Sequence, residues 1–417
     1  MTSRRVFVKN GAFALVSLGF APSFLARTAF AAGAATRAKR LIAIFQRGAV
    51  DGLNMIVPFG DREYYRARPG IAIERPGASG TSDGALDLDG FFGFNPRLQP
   101  LKPFWDARQL AIVNACGSPD NTRSHFDAQD YMESATPGVK STPDGWLNRY
   151  LQARRVEEAT PFRAVALTQQ MPRVLQGTAP ALAVNQLEQF GIRGGQASEM
   201  ISASFESQFA AAADRVLNAT GREAFDAIRM LKSTNPASYR PERGADYPRT
   251  PFGQALKQIA QLSKADVGLE VAFADVGGWD THVNQGSAQG QLAVRLDDFG
   301  RGLAALVTDL GEGMQDTIVL TMSEFGRAVS ENGNRGTDHG HGNAMMAIGG
   351  GIRGGRVYGT WPGLAPGQRH EGRDLAVTTD FRDVFAEIVV RHLGVGDTRS
   401  IFPGYEVKPA RFPGLFA

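Results

Sequence analysis

One stretch constrains the fold more than any other. Val267 to Ala274 is a strand-like run; Leu292, Leu296, Phe299, Leu303, Leu306 and Leu310 then recur at helical spacing; and Thr317 to Met322, rich in branched residues, reads as a second strand. Strand, helix, strand predicts a parallel pair joined by a crossover. Both strands end in polar clusters, Gly277 to His282 (GGWDTH) and Ser323 to Arg327 (SEFGR), and a third cluster, Gly336 to Gly342 (GTDHGHG), leads into a further strand candidate, Met345 to Ile348. Ligands of open α/β sheets gather at the carboxyl ends of strands, so the clusters stand where chemistry is expected. Three of the six histidines fall in them, each within three residues of a carboxylate. Imidazole nitrogen and carboxylate oxygen together suit zinc and its neighbours. Asp280, His282, Glu324, Asp338, His339 and His341 are therefore candidate ligands of a divalent metal.

Size and composition fit a large globular body: 417 residues, 43% hydrophobic and 21% charged. The amino terminus carries Ser3-Arg4-Arg5-Val6-Phe7-Val8-Lys9, an apolar stretch from Gly11 to Leu25 broken by Pro22, and small residues at Ala29-Phe30-Ala31. This has the form of a twin-arginine export signal (residues 1–31), removed after about Ala31 and too short for a membrane span. The expected home is periplasmic or extracellular, with no transmembrane span after signal removal. Removal takes Arg4, Arg5, Lys9 and Arg27 from 45 basic residues, leaving 41 against 42 acidic ones, so nothing suggests a nucleic-acid partner. Cys116 is the single cysteine, which excludes an intrachain disulfide.

Taken in order, Arg40 to Phe45 is a buried-strand candidate followed at once by Asp51, which is either a further ligand or a simple Asp-Gly turn. Pro58 to Pro103 has no sustained period and is expected to cover one edge of the site. Leu110 to Ala115 is another strand candidate, and Ser124 with Asp127 has the form of a capping box that would start a helix. The free N–H groups of that helix would seat an anion. Ser124 is thus a candidate nucleophile as well as a cap, with Thr122 the rival hydroxyl; Cys116 reads as a buried thiol. Arg47, Arg123 and Arg327 are candidates for gripping a substrate anion. Phe162 to Thr168 suggests one more strand, Asn185 to Thr234 a helical insertion reaching about residue 250, and Gly253 to Leu262 a further helix. Gly351 to Gly359 looks like a hairpin, and Thr379 begins a helix running to about Leu393.

The twin-arginine start, the run Arg47 to Asn54, Gly117 through Asp127, GGWDTH, SEFGR and GTDHGHG together resemble the bacterial domain of unknown function family 1501 over nearly the whole mature chain. That family is similar in fold to the alkaline phosphatase and sulfatase superfamily, and its members often accompany a second exported protein of unknown function. The resemblance implies one α/β domain over 32–417, a three-layer α/β/α sandwich with a mostly parallel sheet. It implies one or two divalent ions, zinc or another transition metal. Asp51 matches the superfamily's first-strand aspartate and Ser124 its nucleophile, while Asp338-His339 resembles a late ligand segment. Asp280 and His282 stand closer together than the superfamily pattern, and Phe325 occupies the place of a ligand histidine beside Glu324. The implied activity is hydrolysis or transfer of phosphate or sulfate esters. The alternative is a non-catalytic envelope protein binding a polymer or a partner.

Overall fold

In the computed structural model, residues 39–77, 83–156, 159–187 and 238–416 are described. The export-signal segment and nearly all of the helical insertion expected over Asn185 to Thr234 lie outside them. The strands are β1 (Arg40–Gln46), β2 (Ile56–Val57), β3 (Leu86–Asp87), β4 (Gly93–Phe94), β5 (Leu110–Gly117), β6 (Ala164–Ala166), β7 (Leu182–Ala183), β8 (Val271–Val276), β9 (Thr317–Met322), β10 (Asn343–Gly349), β11 (Arg356–Tyr358) and β12 (Thr379–Asp380). Nine of them form one sheet in the order β11-β5-β10-β9-β1-β8-β6-β7, with β12 beside β5; β2, β4 and β3 make a small second sheet.

All pairings in the large sheet are parallel except those of β10, which runs against both β5 and β9. The expected crossover from β8 to β9 exists, but the two do not pair, because β1 lies between them. The reversal of β10 follows from its entry. The chain leaves β9 at its carboxyl end, crosses that edge through residues 323–342, and must return downward. All three polar clusters consequently stand on one edge. The Gly351 to Gly359 hairpin does not form; Arg356–Tyr358 instead adds a parallel strand to β5.

Alternation along β1 divides the core. Ile42 and Ile44 face one apolar layer, and Leu41, Ala43 and Phe45 face the other. The first layer is closed by α3 (Pro251–Lys264) and α4 (Gln291–Leu310), the second by α1 (His125–Ser134), α2 (Trp146–Ala153) and α5 (Phe381–Glu387). This is a three-layer α/β/α sandwich. Each fully buried aliphatic residue of β1 stabilises it by roughly 1.5–3 kcal/mol, and the strand places none outside. Among the described residues no helix is long and apolar enough to cross a membrane.

Candidate functional site

Three loops at the carboxyl edge press together, and two glycines permit it. A Cβ on Gly336 would stand 2.2 Å from the His282 carbonyl oxygen, and one on Gly340 would stand 2.3 Å from the Arg327 carbonyl carbon. The GTDHGHG segment can therefore lie directly against the WDTH and SEFGR segments, which brings His339 to Asp280 and His282. From the other side, α1 begins at the end of the loop that follows β5 and delivers His125.

Three side chains, His125, Asp280 and His339, converge with their ligand atoms within 4.8 Å of one another, and His282 joins them at Asp280 and His339. The Nε2 atoms of His125 and His282 each stand 3.0 Å from Nε2 of His339. Asp280 Oδ1 is 3.0 Å from His282 Nε2, 3.1 Å from His339 Nε2 and 3.5 Å from His125 Nε2. The opposite ring nitrogens are all held. Nδ1 of His125 donates to Glu324 Oε1 at 2.8 Å, Nδ1 of His339 to the Arg123 carbonyl at 2.9 Å, and Nδ1 of His282 to Asp338 Oδ1 at 3.3 Å. Carboxylates and carbonyls have no proton to give, so each Nδ1 carries a hydrogen and each Nε2 is turned inward.

The electrostatics are graded. Burial alone would raise Asp280, but the Arg327 guanidinium and the neighbouring histidines bring its carboxyl down to about 2. Glu324 is fully buried, yet hydrogen bonds from His125, Gln129 and the Gly48 N–H overcome that burial and hold it below the usual carboxylate range. Its hydrogen bond to His125 raises that imidazole. Burial lowers His339. Phe325 is no ligand: its ring stacks on His125 at 5.0 Å and also touches His339, forming an apolar wall.

Several expected roles are corrected by placement. Asp51 is fully buried away from the histidines; its Oδ2 receives 2.6 Å hydrogen bonds from Arg68 and Gln285, and Oδ1 caps the short turn Gly52–Met55. Glu324 and Asp338 meet the outer ring nitrogens rather than the convergence point. His341 stacks on His370 at 4.2 Å, and burial followed by that neighbour lowers it to about 4. Arg327 is a buried strut that donates to the carbonyls of Gly48, Ala49, Trp279 and Thr337 and to Asp280, so it has no hand left for a substrate. Arg123 is held by Asp374 and Glu371, and Arg47 by Asp275, Glu133 and Gln129.

Ser124 does occupy the N-cap of α1, but its side chain forms no capping bond; its own N–H donates to Thr122 Oγ1 at 3.2 Å. The residue that sequence reasoning passed over is His125. The signal available was position: a histidine at the first turn of a helix that starts from a strand's carboxyl end. Cys116 is fully buried, and burial pushes its thiol well up, which agrees with an inert packing role.

The model of a family described as a protein of unknown function (DUF1501) matches residues 105–403. No curated protein matches the chain. Among solved structures, it is similar to the PsFucS1 sulfatase from Pseudoalteromonas sp., at 12% identity over 89% of this chain and 70% of that one, with a TM-score of 0.36. It is similar also to the alkaline phosphatase of Thermus thermophilus, at 13% identity over 70% and 60% of the two chains, TM-score 0.29. A third is the phosphonate monoester hydrolase of Agrobacterium radiobacter, at 10% identity over 89% and 78%, TM-score 0.30.

Proposed function

For this chain, which belongs to the DUF1501 family of proteins of unknown function, we propose that His125, Asp280, His282 and His339 hold one divalent transition-metal ion that serves hydrolysis or transfer of phosphate or sulfate esters. The observation that supports this most is the inward-facing set of acceptors. Three imidazoles and a carboxylate crowd together, with Nε2 of His339 facing Nε2 of both His125 and His282 at 3.0 Å, contacts that repel unless a proton or a cation stands between them. A proton on His125 relieves its contact with His339 and leaves that of His282 with His339.

The donor set fits the group. Tetrahedral zinc with N and O ligands at about 2.0–2.1 Å implies ligand-to-ligand edges of about 3.3 Å; the contacts among His125, Asp280 and His339 run from 3.0 to 3.5 Å, and His282 approaches the Asp280–His339 edge from the side away from His125. Glu324, Asp338 and the Arg123 carbonyl fix the tautomers, as partners of metal-bound histidines do. When bound, such an ion polarises an ester oxygen and lowers the pKa of an oxygen nucleophile.

The chain's own residues supply the rest. Ser124 precedes His125 directly and is the candidate nucleophile, its hydroxyl uncommitted to capping. The first N–H groups of α1 face the same end and favour a negative oxygen. Phe325 shields one face of His125 from water.

A second reading, a binding protein with a structural metal, is favoured by one observation: all three arginines expected to grip an anion are engaged internally. Metal analysis of protein purified without added metal, combined with a phosphatase and sulfatase screen, tests both. About one ion per chain is expected, lost in His339→Ala, with turnover lost in Ser124→Ala while its ion is retained. Metal without turnover on any ester selects the second reading. Metal-free wild-type protein that binds no added zinc overturns the metal centre. The periplasmic or extracellular location, an anionic ester or envelope polymer as ligand and a second exported protein as partner belong to the same proposal and are tested by fractionation and pull-down.

A further inference from the structure

A cavity of about 500 Å³ is lined among others by Arg47, Asp275, Gln169, Gln170, Asn185 and Phe252, with none of the histidine group in its wall. Arg47 follows β1, Gln169 and Gln170 follow β6, and Asp275 lies in β8, so the cavity sits at the same carboxyl edge of the sheet. Arg47 also joins the two places: its Nη1 donates to Gln129, and Gln129 Nε2 donates to Glu324 Oε1, the oxygen that holds His125.

We infer that this cavity binds a neutral, polyhydroxylated ligand of the sugar class. Its charge is already balanced within the protein. Arg47 and Asp275, the two charged residues of the lining, are paired with each other, Nε to Oδ2 at 2.6 Å, and Arg47 Nη1 also bonds Glu133 Oε1 at 2.8 Å, so a free anion finds the guanidinium already met by two carboxylates. What remains on offer is amide chemistry. Gln169, Gln170 and Asn185 are exposed, and their carboxamides make no hydrogen bond to other described side chains or backbone. Each presents an NH₂ donor and a carbonyl acceptor close together, which is the complement of a hydroxyl that both donates and accepts. Pro251 and Met171, backed by the buried Phe252, add the apolar surface on which the C–H face of a pyranose ring rests. Joined to the ester chemistry above, and resting on that reading for this step alone, the cavity seats the alcohol part of the ester while the ester group reaches the histidines.

The test is saturation-transfer NMR and calorimetry with a panel of neutral methyl hexosides and disaccharides on the full chain. At least one is expected to bind with millimolar or better affinity. Gln169→Leu with Asn185→Leu should weaken it at least tenfold without changing metal content or melting temperature, and Asn185→Ala alone should weaken it less. His339→Ala should lose metal and keep the sugar, so failure of the metal centre is seen separately from failure of this site. No binding by any sugar in the panel, binding unmoved by the double variant, or binding of a neutral tetrapeptide in place of every sugar overturns the inference.

Discussion

Two polar groups stand at the carboxyl edge of the sheet, and they are built in opposite ways. Around Asp51, charge and hydrogen bonds close on themselves: Asp51 and Arg68 are both 0% exposed, and Arg68 also donates to Asn54 and to the carbonyls of Ala328 and Val329. Around His339, the groups that meet are almost all acceptors, and Asp280 and His282 are 45% and 38% exposed. A closed network holds a fold together. One left open to solvent with its acceptors turned inward is arranged for something that arrives.

The two are also connected. Gln285 donates through Nε2 to Asp51 Oδ2 and receives at Oε1 the hydroxyls of Thr281 and Thr337. Those threonines sit beside Asp280, His282 and Asp338. The closed network therefore anchors the segments that carry the open one.

The largest effect that sharpens this contrast is Asp51→Ala. It leaves the Arg68 guanidinium buried without its carboxylate, and a loss of about 3–5 kcal/mol in urea denaturation is expected. Under the same conditions metal-free His339→Ala should differ little from metal-free wild type; equal destabilisation of the two variants would erase the distinction. Next comes Glu324→Gln, which weakens the hold on the His125 tautomer. Zinc affinity should fall by about 10–100-fold with the ion still bound at high concentration; an unchanged affinity would place Glu324 among the purely structural carboxylates.

The smallest effect concerns a buried histidine on neither side of the comparison. His392 donates from Nε2 to the Arg40 carbonyl at 2.9 Å, and burial brings its pKa down from 6.5 to about 4. The unfolded chain binds the proton more tightly, so this contribution is present above pH 6.5 and is lost as the pH falls toward 4. At about 1.4 kcal/mol per pKa unit, the loss between pH 7 and pH 5.5 is about 1 kcal/mol. His392→Gln should flatten that part of the stability profile, and a variant with the wild-type slope would refute the assignment.

The sequence made the strands and the long helix legible because their signal is local. Thr317 to Met322 coincides with β9, and the leucine spacing from Leu292 to Leu310 falls within α4. What was not legible depended on partners remote in sequence. Asp51 after a strand looks like a ligand, but Arg68 claims it from a stretch with no period. The arginines look available until their carboxylates are known. Glu324 seemed to lack a histidine because Phe325 follows it; the imidazole comes instead from His125, on a different loop. The position of β1 was hidden for the same reason, since a helix joining β8 to β9 does not say what lies between them.

That position governs how the molecule can be made. The first strand of the described chain pairs Leu41 with Val271 on one side and Arg40 with Thr317 on the other. Among the described residues no other pairing joins the β8 half of the sheet to the β9 half. During synthesis this segment, with Leu41 to Phe45 all apolar, must wait unpaired until most of the polypeptide has emerged, the kind of distant closure that makes folding slow. A chain lacking this strand would have two half-sheets that no other described pairing joins.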